Sequence, residues 1–197
     1  SILPESIDGF PWAGHLGLRM YEELVARLNP GVSTLLFTNT RNQSERWHQC
    51  LRFACPEMED ALALHHSAID RSEREAIEAA VKAGGIRWVV CTSSLDLGVD
   101  FQPVEQVVQI GSPKNLARLL QRAGRSAHLP GGTSQVLFMP TNALELLELS
   151  AVRGGLEVAL VEQRQPPHAP LAVLLQHLTS LACGPGFDPD HTLQSIR

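Results

Sequence analysis

The sequence has no apolar run approaching the roughly 18 to 20 residues that a membrane helix needs. It also has no basic segment followed by an apolar one at its start. A spanning or secreted protein is therefore not expected, and a cytoplasmic one is. The four cysteines, at 50, 55, 91 and 183, form no CxxC pair and show no zinc-ligand spacing with the eight histidines. They are expected as reduced thiols, with no metal site. Three nucleotide and hydrolase signatures are missing as well. There is no GxxxxGK[ST] phosphate loop, no GxGxxG and no Gly-x-Ser-x-Gly elbow. Cys91 follows an apolar run, as a phosphatase nucleophile does, but Leu97 stands where such an enzyme needs an arginine. No complete phosphate-cleaving apparatus is present, so any nucleotide chemistry requires a partner domain.

What is present is ordinary globular composition: 197 residues, 44% apolar and 19% charged. That fraction is enough for a packed core and excludes wholesale disorder. The formal charge of −5 argues against a protein built only to coat nucleic acid. Five short apolar runs read as strands buried on both faces: 33–37, 61–65, 87–91, 106–110 and 134–139. Helical patterns lie between and around them, at 16–28, 43–53, 70–83, 112–123, 142–152 and 171–183. In the fourth of these, Ser112 and Pro113 suit an N-cap and a first helical position, and Gly124 suits a terminator. Strands alternating with helices predict an α/β fold with a mainly parallel sheet. Three prolines within residues 166–170 mark 164–170 as a stiff linker. Residues 171–197 are too few to bury a core and are expected to open a further, truncated domain.

Ligands of such sheets bind beyond the carboxyl ends of the strands. All four of the first exits carry small polar groups: Thr38-Asn39-Thr40-Arg41, His66-Ser67, Thr92-Ser93-Ser94 and Gly111-Ser112. Hydroxyls and amides of this kind are the usual donors to phosphate oxygens. The segment from Lys114 to His128 holds four cations and no acid. Lys114, Arg118 and Arg122 recur at i, i+4 and i+8, so one helical face would carry like charges that repel by roughly a few tenths of a kcal/mol per pair. A solvated face tolerates this, and a bound polyanion would offset it. Arg125, just past Gly124, suits bidentate contact with a phosphate. Asp100, after Gly98, could accept a ribose hydroxyl, orient an arginine or simply form a turn.

Together these stretches resemble the second RecA-like domain of a superfamily 2 helicase. Residues 36–41 are similar to its motif IV, 91–100 to motif V and 121–128 to motif VI, in the expected order. Residues 10–17, 65–67 and 111–114 are similar to the large helicase-related (Lhr) group, above all its bacterial, ligase-associated DEXH-box branch. The resemblance covers nearly the whole chain. It implies a RecA-like three-layer αβα domain over 1–163, followed by the entry into a winged-helix domain.

The same resemblance implies a division of labour. Arg125 matches the arginine finger, supported by Arg122 with Gln121 beside it. Gly98 and Asp100 would face the ATP cleft with Arg122 and Arg125. Thr38, Asn39, Arg41, His66, Ser67, Thr92 and Ser93 would hold the nucleic-acid backbone. ATP with Mg would be bound mainly by a first RecA-like domain N-terminal to residue 1. The implied partners are that domain, the winged-helix domain, single-stranded DNA or a DNA/RNA hybrid, and a DNA ligase pathway. His128 departs from the pattern, standing where many members have a second arginine. Two other classes remain: a RecA-like binding module without catalysis, and an unrelated α/β enzyme acting on a phosphorylated small molecule.

Overall fold

Five strands, each four or five residues long, form one all-parallel sheet in this computed structural model. The structure describes residues 1–4, 10–12, 17–96, 104–126, 135–159, 168, 170–184 and 186–196. In chain order the strands are β1 (Thr34–Phe37), β2 (Leu62–His65), β3 (Trp88–Cys91), β4 (Gln106–Ile110) and β5 (Val136–Met139). They lie side by side as β2-β3-β1-β4-β5. The strand order doubles back on either side of β1, the arrangement of a doubly wound sheet. Because all strands run one way, Phe37, His65, Cys91, Ile110 and Met139 end on one edge.

Successive strand residues point to opposite faces, and the core divides accordingly. Leu36, Trp88, Val90, Val108 and Ile110 pack on one face with Trp47 and Leu51 of α2 (Arg41–Ala54) and Leu24 of α1 (Tyr21–Val25). Leu35, Phe37, Val89, Cys91 and Val107 pack on the other with Val81 and Ile77 of α3 (Arg71–Lys82). On that second face, Arg122 of α4 (Leu116–Ala123) lies over the Phe37 ring. The result is the expected three-layer α/β fold, RecA-like, with further helices α5 (Ala143–Glu157), α6 (Leu171–Cys183) and α7 (Pro189–Ile196).

The chain divides into two compact units, Ser1–Glu162 and Gln163–Arg197. In the second unit α6 leaves Leu171, Val173 and Leu175 exposed and has no buried residue.

Several helix bounds differ from the sequence expectation for local reasons. Residues 18–25 form a 3-10 turn and the short α1 rather than one long helix. Gly17 sits at φ +77°, and Met20 at φ −98°, ψ 23° breaks the regular dihedrals. The fourth helix starts three residues late. Asn115, not Ser112, is its N-cap, accepting the Arg118 N–H at 2.7 Å. Lys114 lies in the left-handed region at φ 73°, outside the helix, so the expected stripe of three cations on one helical face does not form. Gly124 does not stop the chain's turn, because it stays right-handed at φ −57° and leads into a 3-10 turn, Gly124–Ser126. Helix α5 runs five residues past its expected end, and a further helix, α7, forms over Pro189–Ile196.

Candidate nucleotide and nucleic-acid site

The four exits seen in the sequence stand together at the carboxyl edge, but their side chains do different work. Thr38 is fully buried. Its N–H and its hydroxyl both donate to the Cys91 carbonyl, at 2.8 and 3.0 Å, locking β1 to β3. Thr40 caps α2 by accepting the Gln43 N–H. Asn39 is half-buried, and its N–H donates to Gln43 Oε1. A Cβ on Gly111, which has φ +77°, would stand 3.2 Å from Asn39 Nδ2. Hence the β1 and β4 exits touch. Arg41 is exposed and donates to Glu45 Oε1 at 2.8 Å. The Arg41 hydrogen bond holds the Glu45 carboxyl below its usual range. The same Glu45 oxygen lies 3.5 Å from Nε2 of the buried His66. Arg41 and His66 thus meet through one carboxylate. Nδ1 of His66 is buried with no hydrogen-bond partner among the described residues. Ser67 and Ser93 are exposed, and Thr92 is half-buried with its N–H on the His65 carbonyl.

Behind this edge, His65 ties β2 to the motif V loop. Its Nδ1 lies 2.8 Å from Ser94 Oγ and its Nε2 3.2 Å from Glu78 Oε1. The Ser94 hydroxyl also lies 3.1 Å from the His65 carbonyl, which accepts from it. Burial pushes the His65 imidazole below its ordinary pKa. Cys91 is fully buried, and burial pushes its thiol far above its ordinary pKa. An uncharged, enclosed thiol is no nucleophile.

Three arginines of the basic segment converge on Asp96. Arg122 is 1% exposed. Its Nε and Nη2 donate to the two oxygens of the Asp96 carboxylate, at 2.8 and 3.3 Å, and its Nη1 donates to Gln109 Oε1. The guanidinium stacks 4.6 Å above the centroid of Phe37. Arg118 Nε approaches the same carboxylate at 3.5 Å. Arg125 is half-buried, and its Nη2 donates to the Asp96 backbone carbonyl at 2.8 Å. An internal acid therefore offsets the charge repulsion that suggested a bound polyanion. Gln121 is exposed. Gly98, Asp100 and His128 lie outside the described residues.

Sequence reasoning did not single out Asp96, Gln109, Glu45 or Glu145. Gln109 had a legible signal, being polar inside the apolar run Val107-Val108-Gln109-Ile110 and therefore in need of a partner. Its Nε2 donates to the Gly111 carbonyl at 2.9 Å. Glu145, buried at the start of α5, accepts the N–H groups of Ser112 and Thr141 at 2.9 and 2.7 Å. The helix does not begin at Ser112 because Lys114, at φ 73°, leaves the right-handed region between Ser112 and the Asn115 cap. Among the described residues no group of three His, Cys, Asp or Glu is placed to hold a metal, and no helix is long and apolar enough to cross a membrane.

Comparison with known proteins fits this geometry. The family described as helicase conserved C-terminal domain matches residues 18–129. The winged-helix domain of large helicase-related proteins matches residues 155–197. An ATP-dependent helicase Lhr-Core protein 2 of Thermococcus barophilus is 32% identical over 94% of this chain and 21% of its own length. The Lhr helicase/uracil glycosylase of Escherichia coli is 35% identical over 68% of this chain and 9% of its own. The chain thus spans about a fifth or less of these relatives. A solved structure of Mycobacterium smegmatis helicase Lhr bound to ssDNA and AMP-PNP superposes with a TM-score of 0.80 at 30% identity, over 91% of this chain and 24% of that one. The chain belongs to the helicase conserved C-terminal domain family, as a second RecA-like domain of the large helicase-related group.

Proposed function

We propose that this chain is the second motor domain of an ATP-dependent helicase that moves along single-stranded DNA. The observation that carries the reading is the convergence of Arg122 and Arg125 on Asp96 at the carboxyl edge. Beside it stands the likeness to a helicase solved with ssDNA and a nucleotide analogue. Residues 1–163 form the motor domain, 164–170 a linker, and 171–197 the beginning of the winged-helix domain. ATP, with Mg, is the substrate and is held mainly by a first RecA-like domain. Closure of the two domains brings the Arg125 guanidinium to the γ-phosphate, where it stabilises charge that develops in the transition state. Arg122 supports that turn and Gln121 flanks it.

The grip on the strand comes from the β1, β2 and β3 exits. Arg41, Ser67 and Ser93 are exposed there, Asn39 and Thr92 are half-exposed, and Thr38 and His66 brace them from below. Contacts of this type position a backbone without reading its sequence. Reopening after hydrolysis then advances the grip by a step. The likeness to the ligase-associated branch adds a cytoplasmic DNA-repair setting and a DNA/RNA hybrid as a further substrate.

The decisive test is Arg125→Ala in the full-length protein. DNA-stimulated ATP turnover is expected to fall at least a hundredfold, with ssDNA affinity within threefold of the parent. Undiminished turnover would sink the assignment.

A further inference from the structure

We infer that Asp96, together with Gln109, is the positioning residue that sets the pose of both arginines in the α4 turn. This deepens the reading above and rests on it. Arg122 is fixed from three directions: the Asp96 carboxylate takes two of its nitrogens, Gln109 takes the third, and Phe37 carries its face. Gln109 is itself anchored by its bond to the Gly111 carbonyl. All of Arg122, Asp96 and Gln109 are nearly or fully buried, at 1%, 7% and 0% exposure. Arg122 is therefore spent on the interior and acts on substrate only through what it holds.

What it holds is the helix end that presents Arg125. That arginine is caught a second time, by the backbone carbonyl of Asp96. One residue of the motif V loop thus anchors α4 through its side chain and the head of Arg125 through its main chain. A buried ion pair is a poor way to gain stability compared with apolar packing. Its distinctive property is direction, because the planar fork of arginine fits a carboxylate in one orientation. Presenting a transition-state group within a fraction of an ångström needs such support. Asp96 and the α4 turn consequently move as one body when the cleft closes.

The test uses the full-length protein. Asp96→Asn should lower kcat for DNA-stimulated ATP hydrolysis at least tenfold, while KM for ATP and the Kd for an oligo-dT strand stay within threefold. Asp96→Glu, which keeps the carboxylate, should recover kcat to within threefold of the parent. Arg122→Lys keeps the charge but loses the fork, so it should reproduce the kcat-only defect, and the Asp96→Asn/Arg122→Lys double variant should be no worse than the poorer single. Parental kcat in Asp96→Asn or Arg122→Lys overturns the inference. So does a parallel loss of turnover and ssDNA binding, which would mark a purely structural pair. Arg125→Ala is the control that separates the two readings. If it abolishes turnover while Asp96→Asn does not, only the positioning role fails. If Arg125→Ala turns over normally, the motor assignment fails with it.

Discussion

Replacing Arg122 with methionine removes the charge at the centre of the site but keeps much of its volume. Asp96, only 7% exposed, then loses its bidentate partner and is left with Arg118 at 3.5 Å, a side chain 41% exposed. Breaking a buried pair from one side costs about 3–5 kcal/mol, because the remaining charge has no adequate compensation. In a domain of this size that lowers the melting temperature by about 6–20 °C, at roughly 2–4 °C per kcal/mol. Asp96→Leu should cost a similar amount, since it strands the Arg122 guanidinium instead. The informative variant is the pair, Asp96→Leu with Arg122→Met. It leaves no buried charge, and apolar replacement of a whole ion pair is often neutral or stabilising. Gln109 Oε1 still loses its donor, a residual cost of about 1–3 kcal/mol. Thermal melts at pH 7, followed by circular dichroism, should therefore place the double variant above both singles and slightly below the parent. Full-length protein carrying the double change should still hydrolyse ATP poorly, separating stability from function. Additive losses in the double variant would refute the claim that uncompensated charge is the source of the cost.

Two further predictions concern stability. Glu145→Ala leaves the N–H groups of Ser112 and Thr141 without their acceptor; at roughly 1–3 kcal/mol for each buried donor, denaturant titration should show a loss of about 2–6 kcal/mol, with Glu145→Gln losing less. The pH dependence follows from His65, whose pKa burial lowers below 6.5. Between the folded and unfolded values the unfolded chain binds more protons, so stability rises with pH there. The contribution is complete above about pH 6.5 and is lost as pH falls below it, and urea midpoints at pH 5.5 and 7.5 should differ less in His65→Gln than in the parent.

Much of the fold was legible because burial on both faces writes itself into short apolar runs. Leu35-Leu36-Phe37 and Trp88-Val89-Val90-Cys91 could be placed to within a residue or two. Helix starts were harder, since Ser112 and Asn115 are both good caps and local chemistry does not choose between them. The backbone decides the matter: Lys114 is left-handed at φ 73°, so the helix starts only after it, with Asn115 as its cap. Thr38 shows the same limit in the site itself. A hydroxyl after a strand reads as a phosphate donor, yet this one is turned inward onto Cys91.

By itself the sequence determined the α/β class, the order of the strands along the chain, the edge at which ligands would gather and the arginines that stand there. All of these depend on periodicity and residue type, which are local properties. Only the tertiary structure decided which acid meets the arginines. Asp96 and Arg122 are 26 residues apart and Gln109 and Arg122 are 13 apart. Their contact exists because β3 and β4 flank β1 and end at the same edge. No spacing rule encodes that meeting, because it is set by the packing of α4 over Phe37 and not by the chain between the partners.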